Sequence, residues 1–197
     1  NALAYSSANV TVTVPGLGAV LISQGLSGTG IDAMDDNTPT AWEEAYGAGL
    51  GSGINTVAGG SGGAGIEITP TDLMPSGLVT RFHWTPNAGG SNSADLASSG
   101  SSTSVLGTGY DITVEASGDA TPEGLTLYGG LSKIDVAQNS STYDDDIDEW
   151  TAGIKYAVGS FTLGYQVSEE ENGRATTTTG YDNKGYGIVF AINDDLS

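Results

Sequence analysis

The chain of 197 residues has no cysteine, one histidine, and five Lys+Arg against 24 Asp+Glu, a formal net charge of −19. Without cysteine there is no disulfide framework, no thiolate metal site and no cysteine nucleophile. One histidine excludes a His-rich metal site and leaves a single candidate for a Ser-His-Asp triad. Five scattered basic residues cannot neutralise a phosphate backbone, so nucleic acid is excluded as a partner. Charged residues make up 15% of the chain, well under the roughly 25% of an ordinary soluble domain. No apolar run approaches the 18 or more residues of a spanning helix, and helix-period segments are nearly absent. The start, Asn-Ala-Leu-Ala-Tyr5, has neither an initiator Met nor a signal peptide and reads as an internal or mature start. Glycine, by contrast, occurs 31 times, roughly twice its usual share of about 7%.

What fills the chain is alternation of period two. In Phe161–Ser168 one face carries Phe161, Leu163, Tyr165 and Val167 and the other Thr162, Gly164, Gln166 and Ser168. Just before it, Trp150, Ala152, Ile154, Tyr156 and Val158 oppose Thr151, Gly153, Lys155 and Ala157. Only Gly159-Ser160 separates the two, which suits a tight hairpin turn. The pattern recurs over Asn9–Val14, Leu78–Trp84, Tyr110–Ala116 and Tyr186–Ile192. Over Leu125–Leu131 it is weaker, and its phase slips near Lys133-Ile134, which predicts a bulge there. About nine strands of roughly eight to eleven residues are expected.

Their connections differ in length. Pro15-Gly16, Pro75–Gly77, Ala120–Gly124 and Gly159-Ser160 are short, whereas residues 25–65, 86–109, 137–147 and 169–180 are long and polar. Short turns at one end and long loops at the other are the anatomy of an outer-membrane β-barrel. The apolar faces end in aromatics, among them Trp84, Tyr110, Trp150, Tyr156, Phe161 and Tyr186, as the two bilayer interfaces favour. The opposite faces carry Thr, Gly, Ser, Gln and charge, which suits a water-filled lumen. The other architecture open to this pattern is a secreted acidic β-sandwich or adhesin, in which the apolar face is a packed core.

Two runs resemble general porins of Gram-negative bacteria: Glu149-Trp-Thr-Ala-Gly-Ile-Lys-Tyr-Ala-Val-Gly-Ser-Phe-Thr-Leu-Gly-Tyr-Gln166 and Gly185-Tyr-Gly-Ile-Val-Phe-Ala-Ile-Asn-Asp-Asp-Leu-Ser197. The nearest likeness is to acidic porins of marine alphaproteobacteria. Gly30-Ile-Asp-Ala-Met-Asp-Asp-Asn-Thr-Pro-Thr-Ala-Trp-Glu-Glu44 resembles their third extracellular loop, which folds into the barrel and narrows the pore. The resemblance covers essentially the whole chain. It implies an all-β transmembrane antiparallel β-barrel of about 16–18 strands, a homotrimer, and a place in the bacterial outer membrane among lipid and lipopolysaccharide. It implies passage of small hydrophilic solutes, with no cofactor and no catalytic step. Residues 1–197 are then part of one barrel domain, the middle portion of a longer porin, because opening strands and a closing terminal strand are missing from the pattern.

Residues 25–65 form the longest irregular stretch, about three times the usual upper bound for a structureless loop. Thr40-Ala-Trp-Glu43 is a capping box and Gly47 a natural stop, predicting a short helix on which Trp42 and Tyr46 share a face. Asp32, Asp35, Asp36, Glu43 and Glu44 would gather charge at the narrowest point, repelling anions and enriching cations. Arg81, His83, Glu115 and Lys155 are the charged or titratable residues expected on the lumen wall. The runs Asp144–Asp146 and Glu169–Glu171 are expected in external loops, as solvated charge. The glycine runs Gly49–Gly53 and Gly59–Gly63 lack the Lys-Ser/Thr and the strand-to-helix context of a phosphate loop.

Overall fold

The computed structural model describes residues 7–35, 37–38, 57–88, 106–136, 145–173 and 180–191. These form nine strands: β1 (Ala8–Val14), β2 (Gly18–Gln24), β3 (Ala64–Thr69), β4 (Leu78–Thr85), β5 (Leu106–Ala116), β6 (Leu125–Val136), β7 (Ile147–Val158), β8 (Phe161–Glu171) and β9 (Gly180–Phe190). Each pairs antiparallel with the next, giving one all-β sheet in sequence order. Among the described residues there is no α-helix, only three short 3₁₀ turns. The sheet does not close on itself: β1 pairs only with β2 and β9 only with β8 among the described residues.

The predicted segregation of connections is present. Three-, eight-, eight- and two-residue turns join β1–β2, β3–β4, β5–β6 and β7–β8 at one end, and the four long connections lie at the other. Residues 106–109 and 169–171, expected in loops, belong to β5 and β8. Glu169–Glu171 extends the alternation into charge, so no hydrophobic period marks it, yet each residue has partners on both β7 and β9.

The bulge expected at Lys133-Ile134 is misplaced. β6 pairs with β7 without interruption from Leu125 to Ile134, and the irregularity lies across from it, where β5 inserts a residue between Leu106 and Gly109. The polarity of Lys133 and Ile134 misled the reading for a physical reason. Lys133 points to the otherwise apolar face, where it pairs with Asp146 at 2.9 Å and Asp148 at 3.5 Å. Ile134 points to the otherwise polar face and is buried. The Lys133 ammonium, helped by the Val136 N–H, holds the Asp146 carboxyl below its usual pKa. That contact therefore stabilises the fold at neutral pH and is lost as pH falls through the acid range of this carboxyl.

The two faces are inverted relative to a water-soluble sheet. Strand parity and register put Val10, Val12, Ile22, Phe82, Trp84, Tyr110, Ile112, Leu131, Ile154, Leu163, Tyr186 and Ile188 on one face. All of these side chains are exposed, with Tyr186 at 84% and Ile188 at 60%. The other face carries Glu67, His83, Asp111, Thr113, Ser132, Glu149, Thr151, Gln166 and Ser168, all buried. What covers them is the connection between β2 and β3, whose 3₁₀ turn Gly30–Met34 touches β4, β5, β6 and β7.

Glycines on the polar face make room for large neighbours. Tyr128 of β6 lies across Gly153 of β7, its register partner, where a Cβ would collide with the phenol. The ring is thereby turned so that its hydroxyl donates to Gln166 Oε1 at 2.9 Å. Gly153→Val displaces this ring and is expected to lower unfolding stability by about 1–3 kcal/mol, the usual cost of overpacking. Urea or thermal unfolding followed by tyrosine fluorescence measures it, and an unchanged midpoint would show that the ring is not packed there.

Candidate functional site

The site is the contact between the β2–β3 loop and the polar face of the sheet. The two legs of the loop lie side by side at its base. Gly25 N–H donates to Gly63 O, and Gly62 N–H to Leu26 O. Asp32 binds across the base, its Oδ2 accepting from Gly28 N–H and from Ser61 Oγ, each at 2.6 Å. Ile31, Met34 and Val57 are almost fully buried beneath the loop. Ile31 fits against Gly130 of β6 and Gly59 of the returning leg, where side chains would leave it no space. Burying these apolar groups favours docking, at about 25 cal/mol per Å² removed from water.

Docking also has to satisfy the backbone polar groups of the loop. Wall carboxylates do this. Glu67 Oε2 of β3 accepts from Gly30 N–H at 2.7 Å, Asp111 Oδ2 of β5 from Ile31 N–H at 3.3 Å, and Glu149 Oε2 of β7 from Gly59 N–H at 2.6 Å. Further along, Gln166 Nε2 of β8 donates to Met34 O at 2.6 Å, Asp35 O at 3.0 Å and Thr151 Oγ1 at 2.9 Å. The loop thus crosses the polar face from β3 to β8.

Of the residues expected at a constriction, Asp32 and Asp35 are in this loop and half-exposed. Asp32 fastens the base of the loop, and Asp35 offers its carbonyl to Gln166. Asp36, Glu43 and Glu44, the helix expected from Thr40 and the shared face of Trp42 and Tyr46 lie outside the described residues. The expected wall residues all project from the polar face. Arg81 is half-buried with Nε 3.9 Å from Glu67 Oε1. His83 is covered by the loop, with Nδ1 3.1 Å from Asp111 Oδ2. Lys155 sits 5.8 Å above the Tyr128 ring, a cation–π contact. Glu115 is half-buried on β5.

Sequence reading missed Glu67, Asp111, Glu149 and Gln166 as the groups that hold the loop. Parity alone would have put all four on the polar face. Their contacts with residues 37 to 132 positions away depend on where the loop docks, and period does not encode that. Among the described residues no group of three or more His, Cys, Asp or Glu is arranged to hold a metal ion. An apolar cavity of about 950 Å³ lies elsewhere, among outward side chains that include Phe82, Trp84, Tyr110, Leu131 and Trp150. No protein-family model matches the chain, and no curated protein matches it.

Gln166→Leu removes the donor to Met34 O and Asp35 O and the acceptor for Tyr128. Leaving these groups unsatisfied costs about 1–3 kcal/mol. Limited proteolysis should then cut faster between residues 25 and 63 while the strands stay intact; an unchanged cleavage rate would show that Gln166 does not retain the loop.

Proposed function

We propose that this chain forms the wall and inward-folded loop of a passive, water-filled diffusion channel in a bacterial outer membrane. The observation that carries the reading is the inverted sheet, with an apolar face exposed from β1 to β9 and a polar face covered by the protein's own loop. A secreted sandwich or adhesin would pack its apolar face against a second sheet. Among the described residues nothing covers that face.

The boundary of the apolar face adds a geometric argument. Near the long loops the outward positions turn from charged to uncharged. On β6 to β9 the first uncharged ones are Leu131, Trp150, Val167 and Tyr186. Followed through the register, this edge moves two residue pairs down the strands across three strand spacings. At about 6.7 Å per pair and 4.8 Å per spacing, the slope is about 45°. At the other end the hairpin turns shift by three pairs between β1–β2 and β7–β8, six spacings apart, a slope of about 35°. Strands in a membrane barrel tilt by about 35–45°, so a level bilayer would be cut along such a slanted edge.

Open edges cannot face hydrocarbon, because their N–H and C=O groups would be unsatisfied. β1 and β9 run in the same direction, since nine antiparallel strands are an odd number. Antiparallel closure therefore takes an odd number of further strands, which gives the even total of bacterial barrels. A barrel of about 16–18 strands leaves room for the loop inside it. On this reading the molecule is a homotrimer embedded in outer-membrane lipid and lipopolysaccharide, admits small hydrophilic solutes, and catalyses nothing.

The polar face carries Glu67, Asp111, Glu115, Glu149 and Glu170 against Arg81 and Lys155 among the described strand residues, with His83 titratable. Such a lining favours cations over anions. In planar bilayers under a salt gradient the reversal potential is expected to show cation preference. Neutralising Asp35, Asp36, Glu43 and Glu44 together should reduce it, and anion preference in the wild type would overturn the selectivity. Because the chain lacks cysteine, single cysteines report orientation directly. In liposomes, cysteines at Leu163, Tyr165 and Val167 should be quenched by lipid-borne probes, and those at Thr162, Gly164 and Ser168 by aqueous ones. Uniform access from water would reject the membrane reading.

A further inference from the structure

We propose that Glu67, Asp111 and Glu149 form a positioning row, with Glu149 its decisive member, that sets how far the loop stands from the wall. This inference rests on the channel reading for its consequence in permeation, though not for its structural test. The row follows from register. Glu67, His83, Asp111, Ser132, Glu149 and Glu170 are successive cross-strand partners on β3 to β8, so they stand at one level on the polar face. Both legs of the loop dock on that level. The outgoing leg presents Gly30 and Ile31 to Glu67 and Asp111, and the returning leg presents Gly59 to Glu149.

The members differ in what else binds them. Glu67 has the Arg81 guanidinium nearby and Asp111 has the His83 ring. Glu149 takes the Gly59 N–H at 2.6 Å, and the Ala58 N–H also reaches it. Its contact is therefore with the loop backbone, and it is the row member that holds the returning leg. Hydrogen bonds from N–H to carboxylate are short and roughly twice as strong as neutral ones. Glycine at position 59 is required from the other side. Its φ is +53°, and a Cβ there would lie 2.7 Å from Ile31 Cγ2 and 2.9 Å from Asp111 Oδ1. Glu149 touches no solute on this account. It acts through the loop.

The test compares Glu149→Leu, which lacks an acceptor, with Glu149→Gln, which keeps one. In planar bilayers and liposome swelling, Glu149→Leu is expected to lose the size cut-off for sugars and to show a noisy open-channel current. Glu149→Gln should restore the wild-type cut-off and a quiet current. Gly59→Ala should reproduce the Leu phenotype from the loop side. Gly159→Ala, with similar backbone strain but open space around it, should not. Amide hydrogen exchange at Gly59 should speed up in Glu149→Leu and return to the wild-type rate in Glu149→Gln, with strand content unchanged by circular dichroism. A Leu variant with wild-type cut-off and exchange, or a Gln variant as impaired as Leu, overturns the proposal. Wild-type protein that forms no pores while the exchange difference persists overturns the channel reading and leaves the positioning row standing.

Discussion

Alternation along a β-strand is a constraint before it is a pattern. Because successive side chains point to opposite sides, a sheet cannot place a polar residue on one face without committing its neighbours to the other. Nine strands here make the same commitment, and everything else follows from which face is covered. The chain uses its own β2–β3 loop to cover the polar side. Among the described residues the apolar side is left exposed from Val10 on β1 to Phe190 on β9, whereas soluble monomers keep contiguous exposed apolar patches small. On the channel reading proposed above, hydrocarbon is the solvent that such a surface meets.

Covering a polar face with a loop is a harder packing problem than covering an apolar one. A dry, close-packed contact would strand the N–H and C=O groups of both partners. The solution has two parts. Ile31, Met34 and Val57 supply apolar burial, and carboxylates at one register level supply acceptors for the loop amides. Even so, Asp111 Oδ1, Thr113 Oγ1 and Ser132 Oγ are buried with no hydrogen-bond partner among the described residues, which marks the contact as polar rather than core-like. The local concentration of carboxylate has a second effect. On the proposed reading, where it lines a water-filled passage, it biases which ions enter.

Much of this was legible in the sequence. The hairpin of β7 and β8 is given by the uninterrupted alternation from Trp150 to Ser168 and the Gly159-Ser160 turn, because a half-buried or half-lipid strand leaves a strong period. Where charge replaces apolar residues the period disappears, and Glu169–Glu171 read as loop although it is paired strand. Lys133 and Ile134 failed for the converse reason. Each sits on the face opposite to its usual environment, Lys133 beyond the apolar boundary and Ile134 buried on the polar face, so their order mimicked a change of phase. The fastening of the loop was not legible at all. Glu149 looks like any polar-face residue until the register sets it level with Asp111 and the docked loop brings Gly59 to it. Period carries the strand, whereas the contact depends on a long-range arrangement that no local window contains.

The abundance of glycine then acquires a structural cause. In an ordinary strand glycine weakens packing and marks close approach. Here the close approaches can be named. Gly65 faces the His83 ring, Gly130 receives Ile31, and Gly153 lies under Tyr128. All three are on the polar side, where a loop must lie flat on the sheet and large side chains must turn across their neighbours. At the corresponding outward positions the strands carry the bulky apolar residues Ile66, Leu131 and Ile154. The same strands are thus thin on one side and thick on the other. On the proposed reading, that asymmetry is what a wall needs if it admits a folded loop on its inner surface and fills hydrocarbon on its outer one.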